Sequence, residues 1–265
     1  MKTNDLHAIK SIELGITKEK FGKIITFIDY GNVNYWYEKD TQLTDETAIA
    51  EDEKIVIDLS KLADFVTSFS LKSYFYYGFN PQKPGSLYFI STARKLFTAA
   101  PTKAMQFIKH YLDIRELKST THKIKKDHRG YFIVFAKCNF DVEIAIDSLR
   151  RSTECDTICI FSDDADFVAL IKRLHSLKKK VILISTGRTI RELRESADLH
   201  IQAQDLKNAI SKVKKISPVR ARLGSRTRNR EQGSQGLQTD TNTRILKKSS
   251  TQHYKSKKNP RKKLN

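Results

Sequence analysis

The stretch Thr157-Ile-Cys-Ile-Phe-Ser-Asp-Asp-Ala-Asp-Phe-Val-Ala-Leu-Ile171 decides the fold. Its apolar run, Ile158–Phe161, predicts a strand that is buried on both faces, as in a parallel sheet. Three acids come next: Asp163, Asp164 and Asp166. Apolar residues then recur with helical spacing up to Leu174. The acids therefore lie at the carboxyl end of a strand, the edge where open α/β sheets bind ligands. Clustered carboxylates there favour a hard cation such as Mg²⁺, although Asp164 could instead cap the helix.

A second strand predicted from the sequence also ends in an acid. Lys23-Ile-Ile-Thr-Phe-Ile-Asp29 is another nearly continuous apolar run, and Tyr30-Gly31-Asn32 follows it. Gly31 permits a tight turn, from which Asn32 could direct its amide back to the strand end. The alternative for Asp29 is an Asx-turn, in which the carboxylate bonds its own backbone.

A third segment, residues 136–149, has helical spacing and carries Asp141 at its start and Asp147 within it. The two acids are six residues apart, or about 600° of helical rotation, so they do not share a face. We expect Asp141 to bind a metal directly, with the helix N-cap as its alternative role. Asp147 could bind water or hold a neighbouring loop.

Weaker patterns lie between these segments. Leu87–His110 has a helical pattern that Pro101 divides, and alternation near Leu112–Ile114 suggests a strand. Gly130–Phe135 reads as a strand, possible as one arm of a hairpin. The aromatic residues 35–37 could stack on unpaired bases or pack beneath a loop. The β-α-β order predicts an α/β fold with a mostly parallel central sheet flanked by helices.

Charge is unevenly distributed along the 265 residues. Residues 206–265 hold 18 Lys and Arg against two acids, whereas residues 1–205 hold 31 basic and 28 acidic residues. The basicity is therefore interpreted as a property of the tail, which is poor in core-forming residues and predicted to be disordered. The three cysteines lie in or beside apolar elements and read as reduced core residues of a cytoplasmic protein. No apolar run approaches 18 residues, so no association with a membrane is expected.

Three motifs together resemble one protein family: Phe27-Ile-Asp-Tyr-Gly-Asn32, Lys137-Cys-Asn-Phe-Asp-Val-Glu-Ile-Ala-Ile-Asp147 and Phe161-Ser-Asp-Asp-Ala-Asp-Phe167. They are similar to the motifs of NYN domains of the PIN-like superfamily, in particular the LabA-like group. The segment Arg191-Glu-Leu-Arg-Glu-Ser-Ala-Asp198 also resembles that group. Two positions depart from it, because Asp163 and Cys138 stand where the family usually has glycine. An extra carboxylate at Asp163 could perturb metal geometry or face solvent.

The resemblance implies a Rossmann-like domain over residues 23–205, after an extension over 1–22 and before a tail over 206–265. It also implies cleavage of RNA with bound Mg²⁺ or Mn²⁺. The site residues carried over are Asp29, Asn32, Asp141, Asp147, Asp164 and Asp166. Of these, we expect Asp29, Asp141, Asp164 and Asp166 to hold metal.

In the tail, five arginines could recruit RNA, single-stranded in our interpretation, with little dependence on sequence: Arg220, Arg222, Arg226, Arg228 and Arg230. A homo-oligomer is possible. The alternative function is an RNA-binding or regulatory adaptor that has lost cleavage. A phosphatase is disfavoured, because Tyr30-Gly31 follows Asp29 where an aspartyl-nucleophile motif would place a second acid.

Overall fold

A computed structural model describes residues 3–120 and 123–216. Its strands are β1 Ile24–Asp29, β2 Glu53–Ile57, β3 Lys72–Phe79, β4 Thr102–Ala104, β5 Gln106–Tyr111, β6 Lys125–Asp127, β7 Gly130–Lys137, β8 Thr157–Phe161, β9 Lys180–Ser185, β10 Leu199–Gln202 and β11 Ser211–Lys215. Its α-helices are α1 Thr3–Glu13, α2 Lys18–Phe21, α3 Tyr30–Val33, α4 Leu59–Thr67, α5 Pro84–Leu96, α6 Ile114–Ser119, α7 Asp141–Arg151, α8 Phe167–Ser176, α9 Arg191–Ser196 and α10 Lys207–Ile210.

Six parallel strands form the central sheet, in the order β10-β9-β8-β1-β3-β4. The middle strands β1 and β8 are the two apolar runs of the sequence, and all five residues of β8 are buried. Side chains alternate between two cores, one on each face of the sheet. Ile28 and Phe161 pack on one face, with α4, and Phe27 and Ile160 pack on the other, with α8. The α/β fold with helices on both faces is thus as predicted.

A second sheet of three antiparallel strands, in the order β5-β7-β6, lies in the segment between β4 and α7. The expected hairpin arm at Gly130–Phe135 is therefore confirmed as part of β7. The helix expected up to His110 is wrong beyond Leu96, because residues 106–111 pair with a strand more than 20 residues later. Local periodicity does not report such distant pairing.

The strand expected near Leu112–Ile114 is also wrong, because a capping box begins α6 there. The Asp113 carboxylate accepts from the backbone of Arg115 and Glu116, and Glu116 accepts from the backbone of Asp113 at 2.9 Å. This reciprocal pairing satisfies the first N–H groups of the helix and sets its start.

The C-terminal end of the described chain is folded beyond residue 205. After α10, β11 pairs antiparallel with β2, in the register Ser211 to Ile57. The N-terminal segment also forms the short helix α1, which packs against α4. Among the described residues, no helix is both long enough and apolar enough to span a bilayer.

Candidate metal centre

The strand order reverses between β1 and β8, since the chain proceeds from β1 toward β3 on one side and from β8 toward β9 on the other. Loops leave such a switch point in opposite directions and open a crevice at the carboxyl ends of the strands. In the register of the sheet, Ile28 lies beside Phe161, so Asp29 and Ser162 face each other across this crevice. The fold therefore places the first and third sequence motifs side by side.

Three carboxylates converge at the crevice, with one oxygen each from Asp141, Asp164 and Asp166 lying within 4.8 Å of the others. Asp141 begins α7, while Asp164 and Asp166 lie on the turn between β8 and α8. Burial raises the pKa of Asp141, and the negative charges of Asp164 and Asp166 raise it further. Mutually repelling oxygens at this spacing form a donor set that suits a hard divalent cation.

Asp29 lies beside this group and outside the set of three within 4.8 Å. Burial raises the pKa of Asp29 to about 6, and the charges of Asp141 and Asp164 contribute to that rise. The hydroxyl of Ser162 donates to the Asp29 carboxylate at 3.3 Å and partly opposes the rise. A cation bound by Asp141, Asp164 and Asp166 would therefore also lower the pKa of Asp29.

Two residues that sequence reasoning missed orient these acids. Ser162 is fully buried and accepts from the backbone N–H of Asp164 at 3.2 Å, so it contacts both Asp29 and the acidic turn. Asn139 donates its amide to Asp141 at 2.6 Å and accepts from the Asp141 backbone N–H at 2.7 Å. An Asn two residues before an acid at a helix start was the available signal for this turn.

The alternative cap roles are only partly realised. Asp141 is the first residue of α7 and Phe140 is its N-cap, so the N-cap interpretation of Asp141 is wrong. Asp164 accepts from the backbone of Asp166 at 3.0 Å, a local turn that leaves its second oxygen for the crevice. The backbone N–H of Asn32 interacts with the Asp29 carboxylate and lowers its pKa, a local contact of the Asx-turn kind, although no side-chain hydrogen bond of Asp29 caps α3.

Asn32 and the neighbouring aromatic residues form the wall next to β1. The side-chain amide oxygen of Asn32, Oδ1, accepts a hydrogen bond from the indole N–H of Trp36 at 3.3 Å. Trp36 and Tyr37 are buried, and the Trp36 ring stacks on Phe161 with a centroid distance of 6.1 Å. Base stacking is therefore wrong for these two rings, which pack beneath the loop, while Tyr35 is 55% exposed.

The profile of the NYN domain family matches residues 23–206. This match covers more than half of the chain. The chain belongs to the NYN domain family. The motif-based resemblance is thereby confirmed.

Two known proteins are similar to parts of the chain. Over 85 residues the chain is 34% identical to the low amplitude and bright protein LabA of Synechococcus elongatus. These 85 residues cover 32% of this chain and 46% of LabA. The chain thus spans less than half the length of this curated relative. A solved structure of a protein of unknown function from Vibrio parahaemolyticus is 19% identical, with a TM-score of 0.48, over 72% of this chain and 96% of that protein.

Asp163, the first departure from the NYN pattern, points away from the acidic group. Its carboxylate accepts from the backbone and hydroxyl of Thr186, at 2.5 and 2.8 Å, and from the hydroxyl of Thr189 at 2.6 Å. The side chain thus joins the acidic turn after β8 to the loop after β9. It is neither a metal ligand here nor a solvent-facing charge.

Cys138, the second departure, packs against Gly78 of β3. A Cβ at position 78 would lie 2.5 Å from the Cβ of Cys138, closer than two such carbons approach. The Cys138 side chain therefore occupies the space that a side chain at position 78 would need, so glycine at position 78 is required by Cys138. Cys155 and Cys159 are buried and free, as the sequence predicted.

Asp147 lies away from the three converging carboxylates. It accepts from the hydroxyl of Tyr76 at 2.7 Å and pairs with Arg150 one turn along α7. Asp147 thus contacts the strand β3, whereas the sequence suggested that it binds water or holds a neighbouring loop. The five tail arginines at positions 220–230 lie outside the described residues.

Proposed function

We propose that this NYN domain hydrolyses RNA phosphodiester bonds with a divalent cation, Mg²⁺ or Mn²⁺, at the crevice between β1 and β8. The observation that carries the proposal is the convergence of Asp141, Asp164 and Asp166 at the carboxyl edge of the sheet, with half-buried Asp29 beside them. Membership of a nuclease-like family supports it.

The residues present have the chemistry that the reaction requires. A divalent cation, when bound, lowers the pKa of its water and offsets charge on the phosphate. Asp141, Asp164 and Asp166 would hold it, and Asn139 fixes the rotamer of Asp141. Asp29 would be a further ligand, or would accept a proton from the attacking water, for which a pKa of about 6 is suited.

Asn32 and Asp147 have supporting parts in this proposal. The side-chain nitrogen of Asn32, Nδ2, could orient water or a phosphate, because Trp36 contacts the other atom of the side-chain amide, Oδ1. Asp147 acts through Tyr76 and would support the position of α7. The arginines of residues 220–230 would recruit single-stranded RNA through its phosphates, in a cytoplasmic setting.

The alternative is an adaptor that binds RNA without cutting it. The departure that favoured it, Asp163, is directed at Thr186 and Thr189 and leaves the crevice to the other acids. The geometry therefore supports cleavage better than its loss.

The test is cleavage of an end-labelled single-stranded RNA by the full chain, with EDTA, Mg²⁺ or Mn²⁺. Asp164→Asn should abolish cutting, while Asp52→Asn, which makes the same change at an exposed turn, should not. Equal cutting by wild type and Asp164→Asn would refute the assignment of the site. RNA binding without cutting in any metal would favour the adaptor.

A further inference from the structure

The antiparallel sheet β5-β7-β6 is unusual because its strands expose large apolar side chains on a charged surface. All six residues of β5 are exposed, and Phe107 and Ile108 are 48% and 43% accessible. Tyr131 on β7 is 44% accessible. Exposed apolar side chains that cluster on one surface are typical of interaction sites.

The segment that contains this sheet carries most of the net charge of residues 1–216, which is +7. Residues 102–137 contain nine Lys and Arg against three acids, a net charge of +6. The rest of residues 1–205 contains 22 basic and 25 acidic residues, a net charge of −3. The expectation that basicity belongs to the tail alone is therefore wrong, because the near-neutral total averages a basic sheet with an acidic remainder.

A groove lies between this sheet and the loop after β3. It has a volume of about 530 Å³, and its walls are lined by Phe107, Val134, Lys123 and Lys125, with Asn80 opposite. In the register of the sheet, Phe107 pairs with Ala136, so an apolar floor lies between the lysines and the polar loop. Lys123 and Lys125 have no acidic partner within the described ranges, in contrast to Lys109, which pairs with Asp127.

The groove opens at the edge of the central sheet that holds the acids. Asn80 directly follows β3, and β7 leads through Asn139 into Asp141. Lys103 links these segments, since its ammonium group donates to the Asn139 carbonyl at 2.9 Å and pairs with Glu143. An RNA strand that runs along the groove toward the carboxyl end of β7 therefore runs toward the segment that begins α7 with Asp141.

We propose that this groove binds the single-stranded RNA that the crevice cuts, with Phe107 stacking on a base and Lys123 and Lys125 contacting phosphates. The proposal rests on the proposed function and names the surface that presents the substrate. An apolar floor flanked by cations that lack an acidic partner among the described residues matches a polyanion with flat apolar bases, and stacking tolerates any base. The Asn80 amide offers a hydrogen bond to a base edge.

The direct test is photocrosslinking of 4-thiouridine-containing RNA to the full chain in EDTA, followed by tryptic mapping. Trypsin releases residues 104–109 as one peptide that contains Phe107, so a crosslink there is distinguishable from one in the tail. We expect a crosslink on this peptide that unlabelled RNA competes away and that Phe107→Ala removes.

The quantitative test is RNA affinity in EDTA as a function of salt. Phe107→Ala should weaken binding by about five-fold or more, the effect of losing one stacked base. Replacing Lys123 and Lys125 by Gln should reduce the slope of log K against log salt by about 1.4, for two lost phosphate contacts. The matched controls Tyr88→Ala, an exposed ring on α5, and Arg94→Gln with Lys95→Gln, at the far end of α5, should do neither.

The outcomes separate this inference from the proposed function. If the wild type cleaves RNA and the groove variants bind and cut as the controls do, the groove is not the RNA-binding surface, and the nuclease proposal stands. If the groove variants lose RNA binding but the wild type does not cut RNA with any metal, the groove is the RNA-binding surface, and the nuclease proposal is refuted. A wild-type dimer that Phe107→Ala converts to monomer, with RNA affinity unchanged, would assign the sheet to a second copy of the chain.

Discussion

Replacing Asp29 by Asn should stabilise the metal-free protein at neutral pH. A carboxyl whose pKa is about 6 in the fold and 3.8 in the unfolded chain costs about 3 kcal/mol of unfolding free energy once it is ionised in both states. The raised pKa means that the folded chain binds the proton more tightly. The cost is therefore absent below about pH 3.8, develops as the pH rises to about 6, and is complete above that.

The assay is urea unfolding in EDTA between pH 4 and pH 8, followed by fluorescence of the single tryptophan, Trp36, which is buried. Asp29→Asn should exceed wild type by up to about 3 kcal/mol at pH 8 and by little at pH 4. Asp52→Asn, at an exposed turn, should track wild type throughout. Added Mn²⁺ should raise the stability of wild type more than that of Asp29→Asn.

Two results would refute the reasoning. If Asp29→Asn gains nothing at pH 8, the carboxylate is not destabilised by burial and by the acids near it. If it gains equally at pH 4 and pH 8, the gain comes from packing or hydrogen bonding and not from the charge of Asp29.

Three further predictions concern the contacts around the site. Asp163→Ala should lower the free energy of unfolding by about 1–3 kcal/mol, because it leaves the buried threonines of the loop after β9 without their acceptor; chemical denaturation measures this, and an unchanged stability would contradict it. Gly78→Ala should destabilise by about 1–3 kcal/mol through its clash with Cys138, and adding Cys138→Gly should restore stability; a double-mutant cycle without coupling would remove the steric explanation. Tyr76→Phe should lower stability by about 1–2 kcal/mol while leaving the metal dependence of cleavage unchanged, because its partner Asp147 lies outside the acidic group; a shifted metal requirement would place Asp147 in the site.

The central sheet was predictable because its strands carry their own signal. The runs ending at Asp29 and Phe161 are apolar on both faces, and only a sheet covered by helices on both sides buries such runs. The acids that converge were also predictable, because parallel strands bring their carboxyl ends to one edge.

Other features depend on partners that are distant in sequence. The strand Gln106–Tyr111 has the local pattern of a helix, and its pairing with β7 decides its conformation. The role of Asp163 depends on Thr186, 23 residues away, which no local pattern indicates. The positive charge of the segment that contains the antiparallel sheet was not predicted, because acidic residues elsewhere in residues 1–205 offset it in the total.

The position of β8 in the sheet has a consequence for how the chain acquires its site during synthesis. β1 lies between β3 and β8, yet Phe161 follows Asp29 by 132 residues. At a synthesis rate of about 5–20 residues per second, one edge of β1 stays unpaired for about 7–26 s until β8 has been synthesised. Until then the four acids cannot meet, so a nascent chain has no assembled crevice.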